Sequence, residues 1–194
     1  MSDQKTTLKV VSFSGSLRKG SINTAALRAL KALAPADLAI DIFDLSEIPL
    51  YNDDLRTGPG YPPSVQSFRD ALKAADGVLI ATPEYNYSVP GVLKNAIDWA
   101  SRPPEQPFDG KPIGILGASP GALGSSRAQY HLRQCFIYLN GQVMNRPEVM
   151  IGQANSKFDA EGNLTDQGTA DFLKGFLAAF ADHIRYHQRA RSGS

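Results

Sequence analysis

A chain of 194 residues with 42% apolar and 20% charged side chains has the composition of a soluble globular protein with room for a sizeable core. Twenty basic against nineteen acidic residues leave a formal charge of +1, which argues against nucleic-acid or membrane-surface partners. No apolar run is long enough to span a bilayer, residues 1–7 lack the apolar centre of an export signal, and the single cysteine, Cys135, excludes an intramolecular disulfide, so a cytoplasmic protein is expected.

Residues 8–14 form a short apolar run ending in small residues, the first predicted strand. Residues 23–34 follow with helical spacing, placing Ala26, Leu27, Leu30 and Leu33 on one face. A second strand is predicted over 38–44. Asp53 and Asp54 beyond it read as polar loop caps, and the Pro/Gly cluster at 58–63 reads as loop. The next helix, 64–75, has Val65, Phe68 and Leu72 on its apolar face and leads into a third strand at 77–82. A helix over 89–101 carries Trp99, expected to pack against the sheet or a partner subunit, and residues 103–107 are a further loop. A fourth strand spans 113–118, and in the helix after it, 125–139, Cys135 beside Phe136 and Ile137 reads as a buried small hydrophobe. A weaker fifth strand lies within 141–151. A long helix over 165–187 closes the chain; His183 and His187, one turn apart, are expected on its solvated face, and no metal site is expected.

Short apolar strands alternating with helices imply βαβ units, hence an α/β fold with a five-stranded parallel sheet covered on both faces, as one domain over residues 1–194. Ligands of such sheets sit beyond the carboxyl ends of the strands, where the strand order reverses. The segments after the first, third and fourth strands are therefore the candidate site.

After the first strand the chain reads Ser14-Gly15-Ser16-Leu17-Arg18-Lys19-Gly20-Ser21-Ile22-Asn23-Thr24. The glycines permit a tight turn, the hydroxyls supply donors, Ser21 or Asn23 can cap the next helix, and Arg18 adds a permanent charge suited to phosphate. Neither a Gly-x-Gly-x-x-Gly fingerprint nor a Gly-Lys-Ser/Thr is present, so the loop suits one terminal phosphate better than a pyrophosphate. FMN is the cofactor with that group. After the third strand, Tyr85 and Tyr87 can wall a flavin ring while Pro83 and Pro90 stiffen the turn. After the fourth, Ser119-Pro120-Gly121-Ala122-Leu123-Gly124 allows close approach of a flat ligand.

Ser14-Gly15-Ser16-Leu17-Arg18-x-x-Ser21-x-Asn23, together with Pro83-Glu84-Tyr85-Asn86 and Ser88-x-Pro90-Gly91-x-Leu93-Lys94-Asn95-Ala96-Ile97-Asp98-Trp99, resembles the NADPH-dependent FMN reductase family, in particular its bacterial quinone and chromate reductases. The likeness runs from about Lys9 to about Gly152 and includes Gln129-Tyr130-His131-Leu132-Arg133-Gln134. The resemblance implies a flavodoxin-like three-layer sandwich with strand order 2-1-3-4-5. It further implies that Ser16, Arg18, Ser21, Ile22 and Asn23 hold the FMN phosphate. Pro83, Glu84, Tyr85 and Asn86 would border the isoalloxazine ring, mainly through backbone atoms, with Ser119 and Gly121 on its far side.

NADPH, or NADH, is then the electron donor, and quinones, free flavin, azo compounds or chromate are the small-molecule acceptors, reduced in a ping-pong sequence. The chemistry is the flavin's, so no catalytic side chain is expected. Arg18, Arg102 and Arg127 are candidates for the extra phosphate of NADPH. A homodimer or homotetramer is expected, because the helices at 89–101 and 125–139 carry Trp99, Tyr130, Phe136 and Tyr138. The rival reading is a flavodoxin-type electron carrier. Such carriers are strongly acidic, and they benefit from a glycine at the peptide facing the flavin, which Tyr85-Asn86 does not offer.

Overall fold

The computed structural model describes residues 6–56 and 60–193; residues 1–5 of the export-signal reading, and 58 and 59 of the 58–63 loop, lie outside these. Apolar residues alternate along the first strand, β1 (Leu8–Ser14), so that Val10 faces one side of the sheet and Val11 and Phe13 the other. Strands β2 (Leu38–Phe43), β3 (Gly77–Ala81) and β4 (Pro112–Ala118) join it in the order β2-β1-β3-β4, every pair parallel. β3 and β4 are buried along their whole lengths, as central parallel strands covered on both faces must be.

Helices α1 (Ile22–Leu33) and α5 (Gln167–Ser192) cover one face, packing Leu27, Leu30, Phe176 and Phe180 onto Val10, Leu79 and Leu116. Helices α2 (Pro63–Ala74), α3 (Gly91–Ala100) and α4 (Ser126–Tyr138) cover the other, where Phe68, Leu93 and Phe136 meet Phe13, Ile80 and Ile115. This is the flavodoxin-like three-layer arrangement with the expected strand order.

The structure departs from the sequence reading in five places. The fifth strand is two short pieces on the same edge of β4: β5 (Gln142–Val143) pairs with Pro112 and Ile113, and β6 (Val149–Ile151) with Leu116, Gly117 and Ala118. Pro147 between them has no N–H to offer a ladder. Trp99 and Phe136 are buried inside their own chain, Trp99 against Tyr51 with its indole N–H donating to the Pro49 carbonyl at 2.8 Å, and Phe136 against Phe108. Cys135 is half-buried, and burial pushes its thiol pKa up, which disfavours the reactive thiolate. His183 and His187 are half-buried: their rings pack edge to face at 4.5 Å, and His183 Nε2 lies 2.7 Å from the Gln142 carbonyl. Finally, the closing helix is longer at its C-terminal end than the apolar pattern indicates, because it ends in exposed polar residues that carry no periodic signal.

Candidate functional site

Backbone hydrogen bonds draw the loops after β1, β3 and β4 together at the carboxyl edge of the sheet. The Gly15 N–H donates to Ala81 at 2.8 Å, Thr82 N–H to Leu116 at 2.9 Å, and Ser119 N–H to Ile151 at 3.0 Å. Gly15 lies where a β-carbon would come 3.1 Å from Pro83 and 3.2 Å from Leu93, so the first loop presses directly on the second. Tyr85 Oη and Ser16 Oγ add a long contact of 3.5 Å between the same two segments.

Three helices, α1, α3 and α4, begin at this edge; α3 follows Pro90 with no side-chain cap, and the free ends of α1 and α4 differ. At α1, Ser21 is the N-cap: its Oγ accepts from Thr24 N–H at 3.3 Å and its carbonyl from Ala25 N–H at 2.9 Å. The N–H groups of Ile22 and Asn23, in the first turn, have no intrahelical acceptor. Arg18 is exposed beside them and its side chain makes no hydrogen bond or ion pair among the described residues. Ser16 is half-buried, and residues 14–24 contain no carboxylate. The loop is therefore a set of donors and one cation around the positive end of a helix, the environment an anion requires.

The Asn23 side chain has a different task. Its amide donates to the Ala118 carbonyl at 3.0 Å and accepts from the Ala118 N–H at 2.9 Å, tying α1 to the end of β4. What Asn23 can present to a phosphate is its backbone N–H.

At α4 the N-terminus is already closed, by a side chain from the second loop. Glu84 Oε2 accepts from the N–H groups of Arg127 and Ala128, and Oε1 takes Arg127 Nε at 2.6 Å. Beyond Glu84, residues 85–88 form a tight hairpin in which Tyr85 and Ser88 exchange two backbone hydrogen bonds, at 3.2 and 3.1 Å. Its central residues, Asn86 and Tyr87, have φ of 50° and 66°. The Arg127 guanidinium lies over the Tyr87 ring at 3.6 Å, and Ser88 Oγ is 3.1 Å from His131 Nδ1. In the third loop Ser119 Oγ donates to the Gly121 carbonyl at 3.1 Å, and a β-carbon at Gly121 would meet nothing closer than 3.8 Å, leaving its backbone open to a flat ligand. Gly124, with φ of 54°, is the fixed point of that loop, because a β-carbon there would fall 2.4 Å from the Met150 carbonyl carbon.

All eleven expected site residues thus belong to these loops or to the start of α1, although Glu84 and Asn23 turn their side chains to other parts of the protein. Of the three arginines considered for NADPH, Arg102 bonds the Asp98 carbonyl and Ser101 Oγ past the end of α3, a helix length from the hairpin; Arg127 pairs with Glu84; Arg18 is open. Sequence reasoning assigned no role to Gln129, which is buried under the third loop and donates to the Val149 carbonyl at 2.9 Å while its Oε1 has no partner among the described residues. Its only signal was membership of the 129–134 motif. A concavity of about 350 Å³ beside Arg28, Leu33 and Leu164 lies on the α1–α5 side, away from the strand ends, and shares no residue with the site.

Comparison with known proteins bears on the same residues. Residues 8–156 match the profile of the family described as NADPH-dependent FMN reductase. An NAD(P)H-dependent FMN reductase from Pseudomonas aeruginosa is 53% identical over 178 residues, covering 92% of this chain and 96% of its own. A quinone reductase from Escherichia coli is 48% identical over 180 residues, with 92% and 96% covered. Among solved structures, a flavoenzyme NAD(P)H:(acceptor) oxidoreductase from Paracoccus denitrificans superposes with a TM-score of 0.84 at 41% identity, covering 93% of this chain and 98% of its own.

Proposed function

This chain belongs to the NADPH-dependent FMN reductase family, and from that premise we propose that it is an FMN-dependent NAD(P)H oxidoreductase that reduces quinones or other small flat acceptors. One observation carries the reading at the level of this chain: the first-turn N–H groups of α1 that lack an acceptor lie beside the unpaired Arg18, in a loop without a carboxylate, whereas the start of α4 is closed by Glu84. A single phosphate monoester fits that donor set.

FMN supplies, when bound, the hydride and electron chemistry that side chains lack. The protein's part is binding and orientation. Ser16, Arg18 and Ser21, with the backbone N–H groups of Ile22 and Asn23, would hold the phosphate. Pro83, Glu84, Tyr85 and Asn86 would border the ring through backbone groups, and Ser119 and Gly121 would lie on its other side. The exposed side chains of Leu17, Tyr85, Tyr87 and Leu123 give these loops an apolar, partly aromatic rim suited to a flat acceptor. No side chain is assigned proton transfer.

Steady-state assay of the FMN-loaded protein with NADPH and NADH against benzoquinone tests the proposal. Oxidation of at least one nicotinamide, with parallel double-reciprocal lines, is expected. FMN binding without oxidation of either nucleotide would transfer the protein to the electron-carrier reading.

The reading has residues 1–194 act as one FMN-binding domain, placed in the cytoplasm and without nucleic-acid partners, in keeping with a formal charge of +1. No helix among the described residues is long and apolar enough to cross a membrane. It also includes self-association into a dimer or tetramer. With Trp99 and Phe136 buried internally, the outer face of α4, where Tyr130, Ile137 and Tyr138 are exposed, is the surface we assign to this contact. Sedimentation at micromolar concentration is expected to give twice or four times the 20.9 kDa chain mass; a monomer would refute the assembly.

A further inference from the structure

The N-terminus of α4 lacks a cap of its own. Ser125 at the N-cap position is in the left-handed region, with φ of 66°, and its side chain caps nothing. Ser126 N–H finds the Leu123 carbonyl and Gln129 N–H the Ser125 carbonyl, both at 3.0 Å. The two remaining donors, Arg127 and Ala128 N–H, reach Glu84 Oε2 at 3.0 and 3.3 Å, across 43 and 44 residues of sequence. An ionised carboxylate suits that place for two reasons: the positive end of the helix favours it, and three donors satisfy it where its side chain is only 10% exposed.

The bond to Arg127 Nε carries the connection onward. Arg127 is held over the Tyr87 ring, and Tyr87 is the second central residue of a two-residue turn whose positive φ angles a tyrosine rarely adopts. Glycine or asparagine would occupy this turn without help; a tyrosine there has to be held by its surroundings. The held element is the hairpin that begins one residue after Glu84, so the carboxylate anchors both the root of the hairpin and, through Arg127, its tip.

We propose that Glu84 is a positioning residue: its carboxylate, fixed on the N-terminus of α4 and on Arg127, holds the 85–88 hairpin in the conformation that borders the flavin. This rests on the FMN reading of the site. Glu84 then acts on ring binding and turnover through geometry, without contacting the reacting atoms by its side chain.

The test compares wild type, Glu84→Gln and Arg127→Ala. It measures the FMN dissociation constant by flavin fluorescence quenching, kcat and KM with NADPH and benzoquinone, and the melting temperature of the FMN-free protein. Glu84→Gln keeps the shape of the side chain but sets an amide against donors, and is expected to weaken FMN about tenfold and to lower kcat. Arg127→Ala leaves the backbone cap intact and releases only the hairpin tip, so it is expected to weaken FMN while the melting temperature stays within a few degrees. The double variant should lose less than the product of the two, because both act through one connection. Lower melting temperatures with unchanged FMN affinity and kcat would reduce Glu84 to a helix cap and overturn the proposal. A wild-type protein that fails to bind FMN would overturn the cofactor reading itself and the proposal with it; this outcome is distinct, because it appears before any variant is made.

Discussion

Urea unfolding of an Arg69→Ala protein is expected to show a loss of about 3 kcal/mol in stability. Arg69 lies on α2 and is 1% exposed, the second largest of the fully buried side chains. Its guanidinium donates to the carbonyls of Ala100, Arg102, Pro104 and Glu105, and sits 4.2 Å over the Tyr61 ring. These acceptors are at and beyond the end of α3, where the last helical carbonyls have no donor within the helix. One side chain thus closes a helix end, orders the loop after it and fastens α2 to α3. Truncation removes charge-assisted hydrogen bonds, leaves buried acceptors unpaired and opens a cavity. Arg69→Met restores most of the volume but none of the donors, so it should recover less than half of the loss. A Met variant as stable as wild type would show that packing alone holds this corner.

Arg18→Ala is expected to weaken FMN binding by about 10- to 100-fold, the equivalent of about 1.5–3 kcal/mol for a charge-assisted contact to a phosphate. Stability should be unchanged, because the Arg18 side chain is exposed and bonded to nothing among the described residues. Riboflavin, which has no phosphate, supplies the control: its affinity should be the same for wild type and variant. Added salt should narrow the FMN difference, since an exposed charge pair is screened. An unchanged FMN dissociation constant, or an equal loss for riboflavin, would remove Arg18 from the phosphate site. Of the arginines considered in the sequence, this is the one whose guanidinium is not already held by the protein.

The sequence by itself determined the first four strands, the layers and the three loops that meet at the carboxyl edge of the sheet. Apolar alternation in 8–14, continuous apolar runs in 77–82 and 113–118, and a helical period between them are local signals, and each corresponds to an element of the sheet or its cover. The Ser14-to-Asn23 loop was legible for a similar reason, because a helix N-terminus advertises its cap and its basic neighbour within a few residues. What those side chains do was decided by tertiary structure. The Asn23 side chain bonds Ala118, 95 residues away, which leaves its backbone N–H for a phosphate, and the Glu84 side chain caps α4, which leaves its backbone for a flavin border. Trp99, for which the sheet and a partner subunit were both open, and Phe136, counted toward an interface, are core. Nothing in the sequence marked Arg69, because the carbonyls it serves lie at the end of α3 and in the loop after it, 31 to 36 residues further on. Hydrophobic periodicity is written residue by residue along an element, so it can be read from the chain. The partner of a buried polar group is whichever unpaired donor or acceptor the packed elements bring beside it, and that exists only once the fold has closed.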